Sequence, residues 1–99
     1  MKLYVLVRSD LSKSQQAVQA GHAVAEFLLF HKDTEWKNGI LVYLRSPGDW
    51  DLYNNMEGAL KKGAPYMPFY EPDIDNEITA LAILGTDGIP DMLDNYRLV

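Results

Sequence analysis

Four acids lie within seven residues, Glu71, Asp73, Asp75 and Glu77, just ahead of a strand-like run that opens with Ile78 and Thr79. Far from them in sequence, His22 follows Gly21 in the stretch QQAVQAGHAVAEFLL, among alanines and valines. An imidazole held near a carboxylate can serve as general acid or base. Hydrolysis of an ester by such a pair also needs stabilisation of an oxyanion, and Lys13 is the cation placed to supply it or to contact a phosphate. Each residue has a plainer reading as well. His22 can be a half-buried histidine with one satisfied nitrogen. The acids can be solvated at a turn whose entry geometry Pro72 sets. Thr79 can be an ordinary β-former. The acidic spacing matches no calcium loop, lacking its glycine turn and distal bidentate glutamate. There is no Gly-rich phosphate loop, G-x-S-x-G, H-E-x-x-H or zinc spacing, so neither a metal nor a cofactor is expected.

The elements that must position these residues follow from pattern. KLYVLVR predicts a buried strand over 2–8. Ser12 with Gln15 fits a capping box, Asp10 being the other capping candidate, and opens a helix over 13–31. Along it, Val18, Gly21, His22, Ala25, Leu28 and Leu29 recur at three- and four-residue spacing and form one stripe. A second strand is predicted at 40–45. Ser46 as N-cap, with Pro47 at the first helical position, opens a helix over 48–62 that carries Trp50, Leu52, Tyr53, Met56 and Leu60. Lys61-Lys62-Gly63 is its stop. PYMPFY, at 65–70, is a third strand whose prolines suggest an edge. After the loop 71–77 comes a fourth strand at 78–84, then a turn, a short helix near 88–94, and an RLV tail suited to a sheet edge.

This order, β-α-β-α-β-β-α, argues for an α/β sheet with helices on both faces. The first three strands should run in one direction through right-handed crossovers, with the fourth antiparallel. Ligands in open α/β sheets bind outside the carboxyl ends of strands, which makes Arg8, Asp10, Lys13 and the 71–77 loop neighbours by topology. His22 lies roughly 14 Å along its helix at ~1.5 Å per residue, away from that edge. The bare flank left by Ala20, Gly21 and Ala25 is what would let another element approach it.

The chain has 99 residues and a net charge of −5, which predicts a single globular domain, residues 1–99, with no basic stripe for nucleic acid. It contains no cysteine, which fits a reducing compartment, and no apolar run of ~18 residues that would cross a membrane.

VLVRSDL followed by AVQAGHAVAEFL resembles the opening of the peptidyl-tRNA hydrolase type 2 family: a strand, an R-x-D-L turn, then a helix bearing A-x-Q-x-x-H-A. Gln19, Gly21, His22 and Ala23 match that helix. TALAI at 79–83 is similar to the family's last core strand, with Thr79 at its motif threonine, and Trp36 stands near the expected place before Gly39. The resemblance implies a small three-layer α/β fold with a mixed four-stranded sheet. It also implies a cytoplasmic, often dimeric enzyme that cleaves the ester between a peptide and tRNA without a cofactor. Two features depart from the family: Gln15 stands where a second lysine is usual, and EPDIDNE replaces the D-A-G-R-T-Q segment before the last strand.

The expected catalytic set is therefore His22 with Glu71 or Asp73 for proton handling, and Thr79. Arg8, Lys13, Gln19 and Asn76 are the expected substrate-binding residues. The expected partners are a peptidyl- or aminoacyl-tRNA ester and a second copy of the chain, with no membrane. The rival expectation is a non-catalytic binding or interaction module on the same fold.

Overall fold

The computed structural model describes residues 1–99. In chain order the elements are β1 (Leu3–Arg8), α1 (Lys13–Phe30), β2 (Leu41–Ser46), α2 (Asp49–Lys61), β3 (Tyr66–Glu71), a 3₁₀ turn (Pro72–Ile74), β4 (Glu77–Leu84) and α3 (Ile89–Met92). The sheet order is β2-β1-β4-β3. β1 is parallel to β2 and antiparallel to β4, which is antiparallel to β3, so β1, β2 and β3 share one direction. β3 is an edge strand, as its prolines require. The opposite edge, β2, is extended by the tail, where Leu44 pairs with Leu98.

Alternation along the strands splits the core in two. Leu3, Val5, Val7, Ala80, Ala82 and Leu84 meet Ala20, Ala23 and Phe27 of α1 on one face. Leu6, Leu44, Ile78, Leu81 and Ile83 meet Leu52 and Ala59 of α2, with Ile89 and Leu93, on the other. The domain is thus a small three-layer α/β fold with a mixed four-stranded sheet and a helix on each face.

α1 buries a different face from the one its apolar spacing indicates, and α2 buries one that shares only Leu52 and the half-buried Met56 with the expected set. On α1 the buried residues are Gln16, Gln19, Ala20, Ala23 and Phe27. The stripe of Val18, Gly21, His22, Ala25, Leu28 and Leu29 faces outward, with Leu29 63% exposed. Two glutamines on the inner face disguise it in a hydrophobicity pattern, and small Ala20 and Ala23 let the helix lie close to the sheet. On α2, Asp51, Leu52, Asn55 and Ala59 are buried, whereas Trp50, Tyr53 and Leu60 are exposed. Its N-cap is Gly48 rather than Ser46. Ser46 is still in β2, fully buried, and its Oγ lies 2.8 Å from Asp51 Oδ2. At the other helix, Ser12 caps α1 as expected, accepting from Gln15 N at 3.2 Å.

Candidate functional site

α1 lies antiparallel along β3. Gln19 meets Glu71, His22 meets Phe69, and His31 Nε2 meets Tyr66 O at 2.9 Å, so positions rise along the helix as they fall along the strand. This packing settles which helical residue reaches the acidic end of β3. It is Gln19, one turn before His22.

Gln19 is fully buried, and both its amide N–H groups and its carbonyl oxygen are hydrogen-bonded. Its Nε2 donates to Glu71 Oε1 at 2.8 Å and to Gln15 Oε1 at 3.3 Å, while Thr79 Oγ1 donates to its Oε1 at 2.7 Å. The carboxylate can only accept, which orients the amide and leaves the carbonyl oxygen for the threonine hydroxyl. A β-bulge aims Thr79. The β3–β4 register passes from Phe69↔Ala80 to Tyr70↔Ile78, leaving Thr79 as the extra residue. Thr79 and Ala80 therefore both turn to the α1 face, an interruption of alternation that bulges produce.

His22 is exposed, and its ring stacks on Phe69 with centroids 4.7 Å apart and planes 11° apart. It is not enclosed by Val18 and Leu29. No hydrogen bond or ion pair joins it to Glu71, Asp73, Asp75 or Thr79. Both ring nitrogens are thus unengaged by protein, and the half-buried Glu71, two residues along β3 from Phe69, keeps Oε2 without a side-chain partner.

The acidic loop behaves as a turn. Asn76 N donates to Glu71 O at 2.9 Å, and Asp75 and Asn76 adopt left-handed φ values of 50° and 58°. Asp and Asn tolerate this region better than other side chains. Asp73, Asp75 and Asn76 are exposed, and none has a side-chain partner.

Arg8 is engaged through all three guanidinium nitrogens. Its Nη1 donates to Glu77 Oε1 at 2.7 Å and to Ile78 O at 3.2 Å, while Nη2 and Nε take Asp10 Oδ2 and Oδ1 at 2.7 and 3.0 Å. Hydrogen bonding to the guanidinium, opposed by partial burial, holds the Asp10 carboxyl below its ordinary range. The same two carboxylates raise Arg8 further above its already high value. The expected neighbourhood of Arg8, Asp10 and the acidic loop is real. It arises because β4 starts beside the end of β1, which brings Glu77 to Arg8. Lys13 stands apart on the first turn of α1, exposed and without an acidic partner.

No protein-family profile and no curated protein matches this chain. The fold has a solved counterpart. It is similar to that of a protein of unknown function, Atu0240, from Agrobacterium tumefaciens strain C58, with a TM-score of 0.71, 11% identity, and coverage of 99% of this chain and 96% of that one. At that identity the likeness shows the fold alone. No helix is long and apolar enough to cross a membrane.

Sequence reasoning missed a second polar cluster on the α2 face. Asp51 is buried and accepts from Ser46 Oγ at 2.8 Å and from Tyr96 OH at 2.6 Å, and Asn55 Nδ2 donates to Tyr96 OH at 2.7 Å. Burial, reinforced by the bond to Asp51, pushes the Tyr96 hydroxyl up to about 12. The signal available was Asp51 and Asn55 at i, i+4 on the helix face that also carries Leu52 and Ala59. The cluster ties the C-terminal segment to α2 through Tyr96.

Proposed function

We propose that this protein is a cytoplasmic hydrolase of the peptidyl-tRNA type, cleaving the ester between a peptidyl or aminoacyl group and tRNA. The observation that carries the reading is the Thr79–Gln19–Glu71 chain, one helical turn from His22 on α1. It joins the Q-x-x-H helix, the strand threonine and the substituted acidic segment, three pieces up to 60 residues apart. In this reading His22 handles the proton of an attacking water, its plane fixed by Phe69. Glu71 offers its free oxygen to the same water, oriented through Gln19. Thr79, fully buried, acts through Gln19 as a positioning residue. Lys13, on the first turn of α1, contacts phosphate. Arg8 positions Asp10 and Glu77, and Asp73 and Asn76 lie on the solvent side, where a large substrate passes.

The test is release of free tRNA from a peptidyl-tRNA analogue in EDTA, with wild type and His22→Ala in parallel. Release by wild type and its loss by at least a hundredfold in His22→Ala is expected, since general acid–base groups contribute about 10²–10⁴-fold. Natively folded protein that releases no tRNA at high concentration overturns the reading.

The rival, a non-catalytic binding module, is favoured by one observation: Gln19 and Thr79 satisfy each other in a sealed site, as a structural pair would. Absence of tRNA binding at low salt decides for it. Under either reading a second copy of the chain is a suitable partner. It would dock on the outer flank of α1 at Val18, Gly21, Ala25 and Leu28, which carries no charged side chain.

A further inference from the structure

Arg45 of β2 and Arg97 of the tail lie opposite each other in an antiparallel pairing. Leu44 pairs with Leu98, Arg45 N donates to Arg97 O at 2.8 Å, and Val99 N donates to Tyr43 O at 3.1 Å. Opposed residues in such a ladder project to the same face with Cβ atoms about 4.5–5.5 Å apart, and like charges there repel. Neither guanidinium has a carboxylate at ion-pair distance. The ion pairs of the chain are Arg8 with Asp10 and Glu77, and Lys61 with Glu57. In a chain with 14 acids against nine cations, two adjacent arginines left without an acid are a specific arrangement.

They border two neighbouring clefts that share Ser9 and Arg45. One, of ≈ 380 Å³, contains Arg45, Arg97 and Ser9. The other, of ≈ 760 Å³, contains Arg45 and Ser9 again, with Ser12, Lys13 and Gln16. No Asp or Glu side chain lines either cleft, and Leu11, Leu98 and Val99 complete the wall of the larger one. Lys13 opens α1, whose first turn carries no acidic residue, so the positive end of the helix adds to the field of the larger cleft. Gln16 reaches back to Leu11 O at 2.8 Å and holds the wall of that cleft one turn before Gln19.

We propose that the neighbouring clefts bind consecutive phosphates of a single-stranded RNA, Arg45 and Arg97 clasping one and Lys13 with the start of α1 the next. The proposal rests on the tRNA reading above and places the strand at the β2 edge of the sheet, beside the first turn of α1. A groove that tracks a phosphate backbone needs such a row of unpaired cations, and arginine suits it through its fork of donors.

The experiment measures binding of a short single-stranded RNA by fluorescence anisotropy across a salt series. It compares wild type, Arg45→Gln, Arg97→Gln and, as an equal-charge control, Lys61→Gln, whose native residue is an exposed ion-pair partner on α2. The two arginine variants should each lose about tenfold in affinity and lower the logarithmic salt slope by about 0.7, the value of one single-strand phosphate contact. Lys61→Gln should change affinity less than twofold. Circular dichroism melting of each variant checks that the fold is retained. Arginine variants that bind RNA like Lys61→Gln overturn the proposal. So does thermal stabilisation of wild type, but not of the arginine variants, by inorganic pyrophosphate without any RNA binding, which would assign the clefts to a free polyphosphate. Lost RNA binding in the arginine variants of a protein that cleaves no ester supports the cleft and removes the hydrolase reading. Ester cleavage with an unchanged KM in both arginine variants does the reverse.

Discussion

Tyr96 donates to Asp51 Oδ1 at 2.6 Å, and this bond exists only while the phenol keeps its proton. Its folded value, pushed up to about 12, stands above the ordinary ~10. The folded state therefore holds the proton to higher pH than the unfolded chain does. The associated stability is complete below about pH 10 and is lost as pH rises through about 12. A tyrosinate absorbance titration of wild type minus Tyr96→Phe should place the midpoint of this group well above the ordinary tyrosine value, and Tyr96→Phe should flatten the alkaline fall in stability. A difference spectrum with a midpoint at the ordinary value would contradict the buried geometry. Thr79 makes a second residue-level prediction. Thr79→Val removes the donor to a fully buried Gln19 Oε1 and should destabilise by about 1–3 kcal/mol in urea denaturation. Thr79→Ser, which keeps the hydroxyl, should recover most of that loss. Equal stability of the valine and serine variants would show that the bond contributes nothing.

Among the elements, the antiparallel lie of α1 on β3 decides the chemistry available. A helix rises about 1.5 Å per residue and a strand about 3.3 Å, so one helical turn corresponds to between one and two strand residues. Gln19 therefore reaches the acid at position 71, and His22 falls opposite Phe69. β1 and β4 impose a tighter constraint at Gly85, whose N donates to Lys2 O at 2.8 Å. A Cβ there would come within 2.9 Å of Lys2 O and 2.9 Å of the Tyr4 ring. Backbone cannot retreat as a flexible side chain can, so Gly85→Ala should destabilise by about 1–3 kcal/mol. Thermal or urea denaturation checks it, and an unchanged midpoint would mean that the strand ends separate more easily than their hydrogen bond indicates.

For the molecule as a whole, the distribution of charge matters more than the net of −5. Acids gather on the 71–77 loop, and unpaired cations gather at the start of α1 and the edge of β2. The outer face of α1 has neither. A surface helix ordinarily shows solvent a charged face, and one that is apolar or neutral on both sides is ordinarily covered on both. Two copies of the chain can meet there without opposing like charges. Leu28→Glu, at a side chain 41% exposed, should leave monomer stability within about 0.5 kcal/mol and shift the sedimentation of a dimer to that of a monomer. Wild type that sediments as a monomer at high concentration would remove this interface.

Strand and helix positions were legible because they rest on local signals. Alternation in KLYVLVR, the Ser12 cap, the Gly63 stop and the prolines of PYMPFY each act within a few residues. The α/β class followed from their order, and the central place of β1 and the reversed direction of β4 agreed with it. The buried faces of both helices were not legible. Gln19, Asp51 and Asn55 are tolerated inside because Thr79, Glu71 and Tyr96 help complete their hydrogen bonds, and no local pattern announces a partner 41 to 60 residues away. The same limit applied to the candidate site. Residue types and motif order singled out His22, Gln19, Glu71 and Thr79, but whether the acid would meet the histidine or the glutamine depended on the direction in which α1 crosses β3. Arg45 and Arg97 looked like scattered charges along the chain. Only the pairing of the tail with β2 set them side by side, because a sheet ladder fixes which residues share a face regardless of their separation in sequence.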